Sequence, residues 1–189
     1  KSILIVAEQF TLGGLETHIR GEIKQLSEQG VLVHLAVGNA FDPKFLPKCV
    51  VSVVSGIAME PSVSAEELLT AIDKLRVIIR EHSIDAIHVH PFTSIIPAVA
   101  AAELEGIPYA ITFHGPSSLS SYGPMYDFLL KEVILSSASL IFSVSPEVSR
   151  LLSVYSDPNA IVEIPNSVDF EGKKKKILGF EDGNSKWLV

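Results

Sequence analysis

The most constraining feature of this chain lies near its start. An apolar run over residues 3–7 is followed by a short polar loop, Gly13-Gly14 and a helical pattern. Leu15, Ile19, Ile23 and Leu26 fall on one face of that helix, at the spacing of an amphipathic segment. Gly30 is a suitable helix stop, and apolar residues resume over 31–37. Strand, glycine turn, helix and strand make a parallel βαβ unit. In such sheets ligands bind beyond the carboxyl ends of the strands. Gly13-Gly14 falls at such an end, where bare backbone N–H groups and a helix N-terminus can face an anion.

The alternation continues along the chain. Further strands are expected over 50–54, 85–90, 109–113, 140–144 and 161–164. Between them, Ser64 and Glu67 match a capping box that opens a helix running to about His82. An alanine-rich helix is expected over 93–105 and a very apolar one over 126–135, best explained by core packing. Ser145-Pro146 starts another helix, with serine as cap and proline in the first turn. Such alternation is the pattern of an α/β fold with a parallel sheet. The order of strands does not follow from it.

With 189 residues, 47% of them hydrophobic and 20% charged, the chain is long enough for a sizeable core. A net charge of -7 argues against nucleic acid as a partner. Cys49 is the only cysteine, so an internal disulfide and a zinc–cysteine cluster are excluded, and a reducing compartment is the natural reading. No apolar run approaches the roughly 20 residues of a membrane span, and the first strand is too short for a signal-peptide core. The reading is a cytoplasmic protein, with any membrane contact peripheral and at the inner face. Lys186-Trp187-Leu188-Val189 ends the chain on an unfinished apolar run. The expected division is one domain over 1–172, with 173–189 a charged linker and the start of a second domain.

Candidate site residues collect at the expected carboxyl edge of the sheet: Gly13 and Gly14 after the first strand, His90 after the fourth, His114 and Gly115 after the fifth, Ser145 after the sixth and Asn166 after the seventh. The glycines allow close approach of a phosphate or sugar; a plain tight turn is the simpler alternative. His114 could hydrogen-bond a sugar hydroxyl or a phosphate oxygen, or only cap its turn. His88 and His90 share one strand face; His88 reads as packed and His90 as a tip residue. His18 lies near the glycines on the first helix, while His34 and His82 read as structural.

Several chemistries are absent. There is no G-x-G-x-x-G dinucleotide fingerprint and no Walker loop, and neither H-E-x-x-H nor G-x-S-x-G occurs. No carboxylate cluster suggests a metal site. Glu8/Glu16 and Glu163/Glu171 both show Glu-x7-Glu spacing, across segments where the spacing is a coincidence.

Gly-Gly-Leu-Glu-Thr-His (13–18), Asp-Ala-Ile-His-Val-His (85–90), Thr-Phe-His-Gly (112–115), Ser-Val-Ser-Pro (143–146) and Ile-Pro-Asn-Ser-Val-Asp (164–169) occur in this order. Together they resemble the N-terminal domain of retaining GT-B glycosyltransferases, the large group 1 or family 4 enzymes, over about residues 1–172. The resemblance implies a Rossmann-like parallel sheet flanked by helices on both faces, one half of a GT-B fold. It implies an acceptor-side domain facing a second domain that binds a nucleotide diphosphate sugar and carries the Glu-x7-Glu motif. It also implies a hexosyltransferase type of enzyme without cofactor or metal, whose partners are that donor and a carbohydrate or lipid-linked acceptor. The isolated domain would be inactive. Gly13 and Gly14 would approach donor phosphates or acceptor, His114 would line the reacting centre as the catalytic residue, and Asn166 would lie near the interdomain crossover. His18, His90, Gly115 and Ser145 would help bind substrate. Ser167 stands where the family more often has glycine. A GT-B nucleotide-sugar epimerase and a non-catalytic α/β binding module are the alternatives.

Overall fold

A computed structural model describes residues 1–59, 64–91, 95–119 and 123–165. Among these described residues seven strands run β1 Ser2–Phe10, β2 Leu32–Phe41, β3 Val50–Val54, β4 Ala86–His90, β5 Tyr109–Phe113, β6 Leu140–Ser143 and β7 Ile161–Glu163. They form one sheet in the order β3-β2-β1-β4-β5-β6-β7, and every pairing is parallel. The helices are α1 Gly14–Glu28, α2 Ala65–Glu81, α3 Ile96–Glu105, α4 Pro124–Phe128 and α5 Pro146–Leu152. The sheet steps outward from β1 in both directions, so the crevice at the reversal lies between β1 and β4, where such folds bind ligands.

Strand alternation divides the core into two layers. Leu4 and Val6 of β1 join Ile87, Val89, Ile111, Phe113 and Ile141 beneath α2, α3, α5 and the stretch after α4. Ile5 and Ala7 face the other way, with Val33, Leu35 and Val37 against Ile19 and Ile23 of α1. That is the period-2 rule of a strand buried on both faces. The helix of the opening βαβ unit therefore sits on one face and the later helices on the other. Beyond α1 this first face opens, over β4 to β6, into a groove of about 1130 Å³ floored by Ala110, Leu140 and Phe142.

The capping box at α2 is formed: Glu67 donates its backbone N–H to Ser64 Oγ at 3.2 Å, and the Glu67 carboxylate accepts from the Ser64 backbone N–H at 2.8 Å. Gly106 closes α3 in the left-handed conformation, φ 67°, which glycine adopts without steric cost. Glu105 accepts from Arg76 at 2.7 Å and from Arg80 at 2.8 Å, tying α3 to α2.

Three boundaries differ from expectation. β1 does not stop at Ala7: a bulge follows, after which Gln9 pairs with Ala40 and Phe10 with Phe41. Glu8 and Gln9 look like a loop in sequence, yet the long partner strand and the fully buried Phe10 hold them in the sheet. β2 likewise runs through Gly38-Asn39. A Cβ at Gly38 would lie 2.2 Å from the Glu8 carbonyl oxygen, so that glycine permits close backbone approach rather than ending the strand. The apolar helix expected over 126–135 is α4 continued by a π-helical stretch, Leu129–Leu135, where Tyr109 donates its hydroxyl to the Ile134 carbonyl at 2.6 Å. The start of the alanine-rich helix at Thr93, Asn166, the charged linker and the second domain expected over 173–189 lie outside the described residues.

Candidate functional site

Four histidines and one glutamate converge where the carboxyl ends of β4 and β5 meet α1. His88 and His90 alternate onto the α1 face because they pair with Ile5 and Ala7 of β1. His114 follows β5 directly and continues the alternation of Thr112 onto that face. His18 and Glu22 lie four residues apart on α1, so they stack on one helix face. The ring centroids of His18 and His114 are 4.8 Å apart, nearly perpendicular, and those of His90 and His114 5.3 Å apart.

The contacts run in a chain. His114 Nε2 and His90 Nδ1 are hydrogen-bonded at 3.0 Å. His90 Nε2 approaches Glu22 Oε2 at 2.9 Å, bent away from ideal hydrogen-bond alignment, and neither buried atom has a hydrogen-bond partner among the described residues. The other oxygen, Glu22 Oε1, is hydrogen-bonded to His88 Nδ1. His88 Nε2 meets Thr112 Oγ1 at 2.8 Å.

Burial governs the charges. Desolvation lowers His90 to about 4, with His88 adding to the fall and Glu22 opposing it. Burial first, then the neighbouring His90, His18 and His88, lower His114 to about 3. Burial pushes the Glu22 carboxyl up, but His90 and His88 outweigh it by charge and hydrogen bonding, so the group lies well below the usual carboxylate range. At neutral pH this is a buried carboxylate serving neutral His90 and His114. An imidazole accepts on one nitrogen and donates on the other in that state, so the cluster can grip hydroxyl groups. Two sets of three, His18/His90/His114 and Glu22/His88/His90, bring possible metal-ligand atoms within 4.8 Å of one another. In the first set, however, His90 Nδ1 and His114 Nε2 already bond each other.

Other predicted residues have distinct settings. Gly13 is extended, φ -170°, and is the N-cap of α1; a Cβ there would lie 2.3 Å from Glu16 Oε2. Glu16 is itself buried, so Gly13 makes room for a carboxylate folded over the helix start. A Cβ on Gly14 would meet nothing within 4 Å, and the same holds for Gly115. Gly14 therefore borders open space at the sheet edge. Ser145 caps α5, accepting from the Val148 N–H at 3.3 Å. His34 and His82, read from the sequence as structural, stack at 4.4 Å, with Ser52 Oγ 2.7 Å from His34 Nδ1.

The sequence model of Glycosyltransferase Family 4 matches residues 12–171. The chain belongs to that family. No curated protein sequence matches this glycosyltransferase domain significantly. Solved structures with the same fold include a glycosyltransferase of Rickettsia africae, 17% identical with a TM-score of 0.71, matched over 87% of this chain and 43% of that one. Anabaena HepE, solved with UDP and glucose, is 15% identical with a TM-score of 0.66 over 88% and 45%. The UDP-N-acetylglucosamine 2-epimerase of Rickettsia bellii is 12% identical, with a TM-score of 0.60 over 87% and 44%. The glycosyltransferase domain thus spans less than half the length of these three proteins. Its seven-stranded sheet is one Rossmann-like half of the GT-B fold.

Glu22 and Thr112 escaped the sequence reading. Glu22 carries a legible signal, since it lies one helical turn after His18 and beside Ile23 on the packed face of α1. Thr112 is two residues before His114 and shares its strand face, which the same period-2 rule would have found.

Among the described residues no helix is long and apolar enough to cross a membrane.

Proposed function

We propose that this domain is the acceptor-side half of a retaining glycosyltransferase that moves a sugar from a nucleotide diphosphate sugar to a carbohydrate or lipid-linked acceptor. The observation that carries the reading is the convergence of His114 with His18 and His90 at the carboxyl edge of the sheet, beside the open side of Gly14. His114 is the residue proposed to touch the reacting sugar, with His18 and the glycine turn bordering the bound substrate. Buried hydrogen-bond groups held at fixed positions need no reorganisation as charge shifts in the transition state. A second domain binding the donor completes the enzyme, so this chain alone does not turn over, and no metal or other cofactor is part of the proposal. Anabaena HepE binds UDP and glucose in its crystal, which supports a uridine diphosphate sugar as the first donor to try. A nucleotide-sugar epimerase is the second reading, favoured by the epimerases among the proteins of like fold.

The test uses the complete enzyme containing this domain, a panel of nucleotide sugars and acceptors, and NMR of the product anomer. Transfer with retention supports the proposal; epimerised free sugar or an inverted product refutes it. His114→Ala should lower kcat about a hundredfold, the cost of one transition-state hydrogen bond of roughly 3 kcal/mol, and should leave the fold intact. Turnover by this chain alone would refute the two-domain reading.

A further inference from the structure

The contact chain ending at Glu22 fixes more than distances. An ionised carboxylate only accepts hydrogen bonds, and the two oxygens of Glu22 face His88 Nδ1 and His90 Nε2. His90 is completely buried, so its Nε2 must carry the proton if two lone pairs are not to oppose each other at 2.9 Å. A neutral His90 then has its lone pair on Nδ1. That atom lies 3.0 Å from His114 Nε2, which must donate. His114 consequently carries its proton on Nε2 and its lone pair on Nδ1. One acidic residue on α1 thus sets the proton position two imidazoles away, at the end of β5.

We propose that Glu22 is a positioning residue which, through His90, holds His114 in the Nε2–H form, so that His114 Nδ1 accepts a hydrogen bond from a sugar hydroxyl. This rests on the reading of His114 given above and adds its polarity: the imidazole Nδ1 accepts a hydrogen bond from a hydroxyl group and does not donate one to a phosphate oxygen. It also gives His88 a role, because His88 and Thr112 hold the second oxygen of Glu22 from β4 and β5. A metal ion on His18, His90 and His114 would use the same atoms differently. It would need lone pairs on both His90 and His114 directed at the ion, where the geometry spends the His90 Nδ1 lone pair on the N–H of His114 Nε2.

The chain labelled with 15N-histidine tests this at pH 7. Two-bond imidazole correlation spectra report which nitrogen of each ring bears the proton. His90 and His114 should both be protonated on Nε2 alone; a proton on Nδ1 of His114 overturns the proposal without any variant being made. Glu22→Leu removes both acceptor oxygens and should turn each of the two rings into a mixture of tautomers. A His114 tautomer unchanged in a folded Glu22→Leu chain overturns the part given to Glu22. One equivalent of zinc should leave the spectra unaltered; loss of both ring protons on its addition assigns the cluster to a metal instead.

In the complete enzyme, kcat/KM of Glu22→Leu should fall in proportion to the remaining Nε2–H fraction of His114, about twofold if the tautomers become equal. A fall with no tautomer change refutes the link. Full activity of His114→Ala refutes the reading of His114 itself, and that result is separate from the spectra.

Discussion

Acidification should weaken this domain well above the carboxylate range, because two imidazoles, the buried His90 and the half-buried His114, are neutral in the fold. His90 lies at about 4 and His114 at about 3, against 6.5 for an ordinary histidine. A lowered histidine pKa means that the unfolded chain binds more protons, so stability is full above about 6.5 and declines as pH falls towards the folded values. Between pH 7 and pH 5 each group forfeits about 2 kcal/mol, the interval below the unfolded value multiplied by 1.36 kcal/mol per unit. Protonating one ring opposes protonation of the other, 3.0 Å away, so the pair together forfeits about 2 to 4 kcal/mol. Glu22 acts in a different window. Its lowered pKa stabilises the fold above the usual carboxylate value of 4.5, and that contribution is lost only as pH falls further. His34, lowered by burial and then by His82, moves in the same direction as the pair and must be subtracted. The assay is urea unfolding followed by circular dichroism at pH 7 and pH 5, for the wild-type chain and for the His90→Gln/His114→Gln double variant. The wild type should lose stability by the amount above, and the double variant should lose only the share due to other groups. Equal stability of the wild type at both pH values, or an equal loss in both proteins, refutes the argument.

The two glycines of the first turn should separate cleanly. Gly13→Ala must push aside the tip of the Glu16 side chain and replaces a glycine N-cap by the poorer alanine, together about 1 kcal/mol, read as a melting temperature lowered by about 2–4 °C per kcal/mol. Gly14→Ala, with open space around its methyl, should melt no lower than wild type; in the complete enzyme it should reduce transfer if substrate approaches that backbone, and full activity removes Gly14 from the site. Ser64→Ala should cost about 1 kcal/mol by deleting the capping box of α2, measured in the same urea titration.

Long periodic segments were readable because local and tertiary preferences agree in them. β3 and β5 fall on the expected residues, and α2 begins at its serine. The extended ends of β1 and β2 were not readable, since Glu8 and Gln9 owe their strand conformation to partners about 30 residues away in the chain, a case of tertiary pairing overriding local composition. Strand order was equally hidden: alternation dictates parallel pairing but does not say on which side of β1 the fourth strand inserts. For the site, the sheet-edge rule brought His90 and His114 into one list, with His18 noted apart from it as near the glycines on the first helix, and the fold places the three rings together. It did not distinguish Ser145, whose hydroxyl is spent on a helix cap. His88 was read as merely packed, yet it is hydrogen-bonded on both ring nitrogens, because a strand residue beside α1 can be both packed and polar when the helix supplies a carboxylate.

The strand order also dictates a sequence of events in time. Every neighbouring pair in the sheet except one joins strands that follow each other along the chain. The exception is β1 with β4, and it is closed at its base by the Ser2 N–H donating to the Asp85 carboxylate at 2.8 Å, 83 positions away. Bringing the ends of such a loop together costs about 4 kcal/mol beyond a constant, by the logarithmic rule for flexible chains. As a ribosome releases this polypeptide, β1, α1, β2 and β3 can associate early, with one flank of β1 still unpaired. That flank stays open until residues 86–90 emerge, after which β5, β6 and β7 add one at a time to the growing edge. His90 arrives with the strand that makes the long closure, so the crevice beside the histidine cluster and the last costly step of assembly are the same junction.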